Sequence, residues 1–440
     1  MITYKRIFQI SMPIMVGSAV QNLITLTDTI FLGRVGKVEL GAIGLVGVFY
    51  LLITSIGYSF TKAGQIMIAR RIGADQEKEI GPQVHAMGIF AFLLALLMFF
   101  LLAFGSRTFF GWFVTDPDIY EACIAYLDYR CYGVFFSYLG VAFVAMYTGL
   151  ARTTVIIYNA VVMGVANTIL NYGLIFGHFG LPEMGISGAA LASTLAEVLA
   201  FGVFIIYVLL DKKCHDYQLF KWPELDIELI KAQLRLSGPI VLQSIASVGS
   251  WFVFFALIEQ LGQKELAVSN IIRAAYMIYM IPAWGFSSGI NTIVSQLIGQ
   301  EQSSSVMTAI YKTAILCFVV TMLVTSSVVI APDYILRIGT DDPVLIREAS
   351  KLVWVLVTLI TLYSFSTIYF NGLVGTGATK QSLLIQVSSV LLYMLYAYIV
   401  VGVFRASLEW AWMTETVYWI ACLAASAWYL RSQKWVKIKI

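Results

Sequence analysis

A carboxylate interrupts the first long apolar stretch of the chain. Asp28 lies in the segment NLITLTDTIFLGRVG, inside a helix-length run that starts near Ile7 and ends near Gly33. If this run crosses a membrane, a carboxylate at that depth costs at least about 2.5–3.5 kcal/mol on insertion scales, so it should face partners or a wet cavity. A carboxylate in such a place can bind a proton or a metal cation.

Further oxygen-bearing side chains recur at a similar depth in two later runs. Asn167 and Asn171 share one helix face, and Thr194 and Glu197 share another. If depth is counted from the outer end of each run at about 1.5 Å per residue, these four residues and Asp28 lie at similar depths in the outer half of the membrane. We therefore predict a cation-coupling site of Asp28, Asn167, Asn171, Thr194 and Glu197. Asp28, Asn167 and Asn171 would be the ligands if the ion is Na⁺.

Simpler interpretations exist for each of these residues. Asp28 could be a polar residue near a helix end that reaches the headgroups, although a negative charge near a helix C-terminus is disfavoured by the dipole. Asn167 and Asn171 could hold helices together through hydrogen bonds. Glu197 could have a structural role.

The composition indicates that these runs belong to a membrane protein. Of the 440 residues, 60% are hydrophobic and 12% are charged, whereas soluble proteins carry about 25% charged residues. A membrane span needs roughly 20 mostly apolar residues. The sequence predicts an all-α polytopic membrane protein with twelve such spans: about 7–33, 40–70, 83–105, 119–148, 155–178, 186–210, 233–258, 265–296, 308–330, 345–374, 380–403 and 409–430.

Two further features limit the possibilities. The start, MITYKRIFQISMP, lacks the pattern of a cleaved signal peptide. The five cysteines are scattered, so they predict neither a disulfide framework nor a metal site, and we expect no cofactor. Basic residues are distributed unevenly: sixteen lie in the segments on the side of the N-terminus and seven on the other side. This bias predicts that both termini are cytoplasmic.

The chain also repeats itself. When it is shifted by 226 residues, its halves align without a gap. The matched pairs include Pro13 with Pro239, Gly36 with Gly262, Gln76 with Gln302, Asp116-Pro117 with Asp342-Pro343, and Thr153 with Thr379. Six spans return each half to its starting side, so this is a parallel repeat. We predict two six-helix lobes, 1–210 and 227–440, around a central cleft, joined by a polar cytoplasmic linker, 211–226.

The polar residues of the predicted site belong to the first half alone. Their counterparts are mostly apolar or aromatic: Asp28 falls on Phe254, Asn167 on Tyr393, Asn171 on Ala397 and Glu197 on Leu423. Residues that both halves share indicate the scaffold, whereas these differences indicate what only one half does.

The sequence resembles the multidrug and toxic compound extrusion (MATE) family. The resemblance spans nearly the whole chain and rests on PIMVGSAVQNLITLTDTIFLGRVGKVELGAIGL, on ANTILNYGLIFG with GISGAALAST, and on NGLVGTGATK. It implies two six-helix lobes and alternating access driven by Na⁺ or H⁺. In one branch the coupling site is an Asp of the first helix with Asn and Asp of the fifth, which Asp28, Asn167 and Asn171 match.

The sequence departs from the family pattern in three places. Asn171 stands where that branch often has Asp, and Glu197 could replace the lost charge. An expected Asn of the fourth helix is absent, because the corresponding position is Ala145. Another branch has a Glu in the seventh helix where this chain has Ser247. This comparison therefore predicts that the second lobe lacks an acidic site, which favours coupling in the first lobe and leaves the ion open.

The second half is rich in aromatic residues, which can hold flat organic cations through cation–π contacts. We predict Gln21, Tyr276, Tyr279, Met280 and Tyr393 as substrate contacts. Packing and interfacial belts also account for many such rings.

The predicted function is secondary active multidrug efflux, in which organic cations or other amphipathic compounds are exported by antiport with H⁺ or Na⁺. We expect the protein to lie in the bacterial inner membrane, surrounded by lipid. We expect it to be a monomer and to bind no nucleic acid. The alternative is a flippase for lipid-linked precursors, of the same superfamily. Its pyrophosphate headgroup would need several cations, for which Lys62, Arg130, Arg273, Lys312 and Lys351 are available, the last two near span ends. An enzyme is disfavoured because no Ser/His/Asp constellation occurs, and an ATP-driven pump because GTGATK lacks the P-loop spacing.

Overall fold

The computed structural model describes residues 2–221, 226–337, 340 and 342–438. Within these residues the chain is helical and contains no strand. Hydrogen bonds within each helix satisfy its own backbone, which is what a segment in lipid requires. The twelve long helices found there are α1 Tyr4–Val35, α2 Lys37–Gly73, α3 Glu77–Phe113, α4 Pro117–Gly149, α5 Thr154–Phe176, α6 Gly185–Leu210, α7 Ile227–Glu259, α8 Gln263–Gly299, α9 Ser303–Ile330, α10 Val353–Gly375, α11 Thr379–Val403 and α12 Leu408–Arg431.

Eleven of these helices are long and apolar enough to cross a membrane, and α12 is the exception. It is a helix of 24 residues, but Glu409, Glu415 and two threonines, Thr414 and Thr416, reduce its apolar character. The predicted all-α fold with twelve long helices is confirmed.

The chain forms two compact units. The first unit is Val16–Ser237, and the second unit is Met1–Met15 together with Gly238–Ile440. The start of α1 thus belongs to the second unit, and the start of α7 up to Ser237 belongs to the first. The predicted lobe limits, 1–210 and 227–440, stay a prediction.

The backbone repeats with the register that the sequence predicts. Asp75 and Glu301, 226 residues apart, both have left-handed φ angles, of 56° and 61°. The Asp116 and Asp342 side chains each accept hydrogen bonds from the start of the following helix, which begins with proline in both cases. In the second half this helix ends at Lys351 and α10 begins at Val353, whereas α4 runs unbroken. The parallel repeat is therefore present in the local geometry as well as in the sequence.

The predicted linker packs against the first unit where it is described. Gly81 N donates to Tyr217 O at 2.8 Å, and the His85 ring lies 2.8 Å from Leu219 O. A Cβ at Gly81 would collide with the Tyr217 carbonyl, so this close approach requires glycine. Residues 222–225 of the linker lie outside the described residues.

Close packing of α5 against α6 sets the distance between the two helices that carry most of the predicted site. Gly188 of α6 faces the backbone of α5, where an added Cβ would collide with the Leu174 carbonyl. Small residues at such contacts let two membrane helices approach closely. Side chains near this contact can therefore form hydrogen bonds between the two helices.

Candidate functional site: a buried cluster around Asp28

Three helices of the first unit bring polar side chains to one buried point. Asp28 comes from α1, Asn167 and Asn171 from α5, and Ser193 from α6. Asn167 and Asn171 are fully buried, and Asp28 and Ser193 are each 8% exposed. Because Asn167 and Asn171 are one helical turn apart, their side chains point the same way.

Direct hydrogen bonds hold the Asp28 carboxylate. Asn171 Nδ2 donates to Asp28 Oδ1 at 2.5 Å, and Ser193 Oγ donates to Asp28 Oδ2 at 3.2 Å. Both carboxylate oxygens are therefore engaged by neutral donors. Hydrogen bonds to an ionised acceptor are stronger than those between neutral groups, so this arrangement suits a negatively charged Asp28.

Asn167 links the other members of the cluster. Its Oδ1 accepts from Asn171 Nδ2 at 3.0 Å, and its Nδ2 donates to Ser193 Oγ at 3.0 Å. Asn171 Oδ1 is buried and has no hydrogen-bond partner among the described residues. An unpaired buried carbonyl oxygen is costly. This oxygen is thus available to a ligand that offers a positive charge.

A second set of charges lies beside the cluster. Arg130 of α4 donates to both carboxylate oxygens of Glu197, at 2.7 and 2.5 Å. The guanidinium also lies 4.1 Å from the centre of the Tyr50 ring and acts electrostatically on Asp28. Glu197 neutralises Arg130, so Asp28, Arg130 and Glu197 together carry one net negative charge when all three are ionised.

The structure brings together three of the five residues predicted for cation coupling. Asp28, Asn167 and Asn171 are in contact, whereas Thr194 donates to Tyr129 O at 3.3 Å and does not bond to the cluster. Glu197 lies in the Arg130 ion pair. The sequence analysis missed Ser193, the residue before Thr194, because the periodicity that groups residues on a face does not say which neighbouring face points to α1.

The predicted substrate contacts occupy different environments. Tyr276, Tyr279 and Tyr393 are buried in the core of the second unit, where Met280 packs against them. The Tyr276 ring stacks on another aromatic ring, that of Trp251. Gln21 is exposed. The contacts of the three tyrosines are those of packed side chains, and a role in substrate binding stays a prediction.

The sequence analysis also missed an acidic residue in the second unit. Glu415 of α12 is 2% exposed and accepts a hydrogen bond from Trp419 Nε1 at 3.1 Å. The available signal was the same as for Asp28, a carboxylate inside a long run of apolar and aromatic residues. The prediction was drawn from differences in the first half, so this residue was passed over.

The oxygens around Asp28 suit a hard cation, with one qualification. Carboxylate, amide and hydroxyl oxygens are the ligands that such ions prefer. In the present arrangement Asn171 turns its N–H group towards Asp28, and Na⁺ would need the amide oxygen instead. A proton does not require the Asn171 amide to turn in this way. No group of three or more His, Cys, Asp or Glu residues that could hold a metal occurs in the described part of the chain.

Comparison with protein families and curated proteins gives consistent matches. A family model described as MatE matches residues 13–173 and 239–399, segments that correspond under the 226-residue shift. A probable multidrug resistance protein NorM from Thermotoga maritima is 25% identical over 414 residues, covering 93% of this chain and 88% of that protein. A second, from Agrobacterium fabrum, is 26% identical over 308 residues, covering 70% of this chain and 66% of that protein.

Solved structures share the fold over almost the whole chain. An outward-facing multidrug resistance MATE family transporter of the MOP superfamily superposes with a TM-score of 0.90 at 20% identity, covering 99% of this chain and 97% of that one. A MOP superfamily transporter from Pyrococcus furiosus gives a TM-score of 0.88 at 20% identity, with the same coverage. At this identity the likeness is one of fold.

Proposed function

Since the chain belongs to the MatE family of multi-pass membrane transporters, we propose that it exports organic cations or other amphipathic compounds in exchange for H⁺ or Na⁺. The chain is a transporter and not an enzyme. The proposed mechanism is alternating access of two lobes, in the bacterial inner membrane and as a monomer. Its relatives from T. maritima and A. fabrum are named as probable multidrug resistance proteins, which supports the substrate class.

The observation that carries the coupling proposal is the buried Asp28 cluster. A carboxylate inside an apolar helix is unfavourable unless it has a function or good partners. Asp28 has neutral donors that leave it able to accept a cation, and Asn171 Oδ1 is an unpaired oxygen beside it. Glu197 holds Arg130 in an ion pair, so Arg130 does not occupy Asp28 as a permanent counter-ion.

We propose that Asp28 binds the driving cation and that Asn167, Asn171 and Ser193 adjust around it. With H⁺ the Asn171 N–H group must give up or lengthen its bond to the protonated oxygen. With Na⁺ the Asn171 amide turns so that its oxygen joins the carboxylate. Either change alters hydrogen bonds between α1, α5 and α6, which links ion binding to the relative positions of these helices.

The contacts of the five candidate cations disfavour the alternative of a flippase for lipid-linked precursors. The Arg273 guanidinium lies over the Phe255 ring, and Lys62 also interacts within the protein. A pyrophosphate headgroup needs several available positive charges. Arg130 is paired with Glu197, Lys351 is paired with Glu348, and Lys312 Nζ donates to Ile2 O at 3.1 Å. These three cations are therefore already engaged within the protein.

The test uses purified protein in proteoliposomes with a fluorescent organic cation. H⁺ and Na⁺ gradients are imposed separately, and the gradient that drives transport identifies the ion. Asp28→Asn keeps the size of the side chain and removes its charge. We expect gradient-driven transport by Asp28→Asn to fall to the leak of protein-free liposomes, while some substrate binding is retained.

Asp118→Asn provides a matched control, because Asp118 is an exposed aspartate at the start of α4. It should transport like the unsubstituted protein at equal reconstituted amounts. Full gradient-driven transport by Asp28→Asn would remove Asp28 from the mechanism. Transport that depends on a lipid-linked precursor, with no movement of organic cations, would favour the flippase instead.

A further inference from the structure

The second unit contains a buried carboxylate of its own. Among the acidic residues that the structure describes, the buried ones are Asp28 and Glu415, which are 8% and 2% exposed. Glu415 is in none of the ion pairs found among the described residues. Keeping such a group ionised in an apolar surrounding without a cation is costly. The burial of Glu415 therefore indicates a role beyond packing.

The groups that face Glu415 are hydrogen-bond donors on aromatic rings. Trp419 Nε1 donates to Glu415 Oε2 at 3.1 Å and to the Tyr276 hydroxyl at 2.9 Å. The Trp251 side chain also interacts with the carboxylate. The Tyr393 hydroxyl is buried and interacts with Glu415, yet it makes no well-formed hydrogen bond among the described residues. Tyr393 thus has hydrogen-bonding capacity that is not fully used.

A small cavity adjoins the carboxylate. The space is about that of a single water molecule. This is enough for a proton carrier such as water and too little for an organic cation. The lining residues are Ser247, Ser250, Trp251, Tyr393, Glu415, Tyr418 and Trp419.

The repeat places this pocket among the counterparts of the helices that form the Asp28 cluster. That cluster uses α1, α5 and α6, and the pocket is formed by α7, α11 and α12. Tyr393 stands at the position of Asn167, and Phe254 at that of Asp28, with the two rings 5.9 Å apart. The buried carboxylate comes from α1 in the first unit and from α12 in the second, so it is not on corresponding helices.

We propose that Glu415 is a second proton-binding site, which takes up and releases a proton through this cavity. Its polar neighbours include several N–H and O–H donors, whereas Na⁺ would need a shell of oxygen ligands. The titratable groups that face Glu415 are the tyrosines Tyr276, Tyr363, Tyr393 and Tyr418. Arg273 of α8 lies over the Phe255 ring at 4.8 Å. Proton binding at this site stands apart from the proposed transport function, and only its effect on coupling depends on that function.

Infrared difference spectroscopy tests the site directly in the purified full-length protein in lipid nanodiscs. Spectra recorded at acidic and alkaline pH report the C=O band of a carboxylic acid that gains a proton. In an Asp28→Asn background we expect one buried-carboxyl band to remain. That band should disappear when Glu415→Gln is added and persist when Glu409→Gln is added, since Glu409 is a partly exposed glutamate of the same helix.

A second pair of variants guards against a general folding defect. Tyr393→Phe keeps the ring and removes the hydroxyl that faces Glu415, so it should retain the band and shift its pH midpoint. Tyr396→Phe, on the same helix and partly exposed, should leave the midpoint unchanged.

Three results would overturn the proposal: a band that survives Glu415→Gln, a midpoint unmoved by Tyr393→Phe, or a midpoint that shifts with Na⁺ concentration. Transport assays on the unsubstituted protein, with Asp28 intact, separate the two proposals. A Glu415 band in the Asp28→Asn background, together with no cation-driven transport by the unsubstituted protein, would refute the proposed function and leave this site standing.

Discussion

The Arg130–Glu197 ion pair offsets a positive charge beside the Asp28 carboxylate. An unpaired Arg130 would attract the Asp28 carboxylate and compete with the driving cation for it. The bidentate bond to Glu197 compensates that positive charge within hydrogen-bond distance. At the scale of residues, we therefore propose that Glu197 is a positioning residue, which keeps Asp28 available by neutralising Arg130.

Ser193 offers the sharpest residue-scale prediction. Ser193→Ala removes both the donor to Asp28 Oδ2 and the acceptor for Asn167 Nδ2. A lost buried hydrogen bond costs about 1–2 kcal/mol, so the driving-ion concentration for half-maximal transport should change roughly five- to thirtyfold. The measurement is the ion dependence of transport in proteoliposomes.

Ser187→Ala serves as the control for this prediction. Ser187 lies on the same helix, and its hydroxyl donates to Ala125 O at 3.3 Å, away from the cluster. The ion dependence of Ser187→Ala should match that of the unsubstituted protein. If Ser193→Ala also matched it, the hydroxyl would have no part in ion binding.

The residue scale also shows where sequence reasoning stops. Asp28, Asn167 and Asn171 could be predicted, because a polar residue in an apolar run is conspicuous and helical spacing groups such residues. The choice between Ser193 and Thr194 could not be predicted from the sequence. The two residues lie about 100° apart on α6, and only the packing of α4 and α1 decides which of them faces Asp28. Ser247, where the family comparison expected a carboxylate, lines the Glu415 cavity. The acidic group was present in the pocket but came from another helix.

At the scale of elements, α4 and α6 are joined by a nearly buried ion pair. The Arg130 and Glu197 side chains are 8% and 14% exposed. Gly133 leaves room for the pair, because a Cβ there would meet both Arg130 Nη1 and Glu197 Oε2. Helix α6 is thus fixed by charge against α4 and by hydrogen bonds against α5, which orients Ser193 towards Asp28.

Breaking this ion pair should destabilise the first unit. Glu197→Gln leaves the Arg130 charge buried without its partner, a change that costs on the order of 3 kcal/mol in buried pairs. We expect a clear fall in the thermal unfolding temperature of the purified protein in detergent, larger than that caused by Asp28→Asn. Transport should also weaken, because the freed guanidinium competes for Asp28.

Glu228→Gln is the matched comparison for this element-scale prediction. Glu228 pairs with Lys231 at 2.9 Å, but their side chains are 83% and 66% exposed. Exposed pairs contribute about 0–1 kcal/mol, so its unfolding temperature should barely change. Equal effects of the two substitutions would show that the Arg130–Glu197 pair does not stabilise the packing of α4 and α6.

At the scale of the whole molecule, the repeat was the most reliable sequence signal. The shift of 226 relates the turns at Asp75 and Glu301, which have the same left-handed geometry because backbone geometry at helix ends depends on local sequence. The shift alone did not single out α12, which falls below the apolarity of the other spans and contains Glu409 and Glu415. The two halves therefore share the scaffold, while the polar groups of the two proposed sites differ between them.

Membrane orientation is the last prediction, and it follows from the sixteen-to-seven distribution of basic residues. Single cysteines at Lys37 and Lys264 should react with a membrane-impermeant maleimide added from outside to spheroplasts, whereas cysteines at Lys213 and Lys380 should react only after permeabilisation. All four lysines are exposed, so accessibility differs by side of the membrane rather than by packing. The five native cysteines are buried and free, which keeps the background low, and the unsubstituted protein measures that background.

Each side is sampled once in each half of the repeat, so a parallel repeat requires the two halves to agree. Reversed labelling at all four positions would invert the orientation, and disagreement between the halves would contradict the parallel arrangement itself.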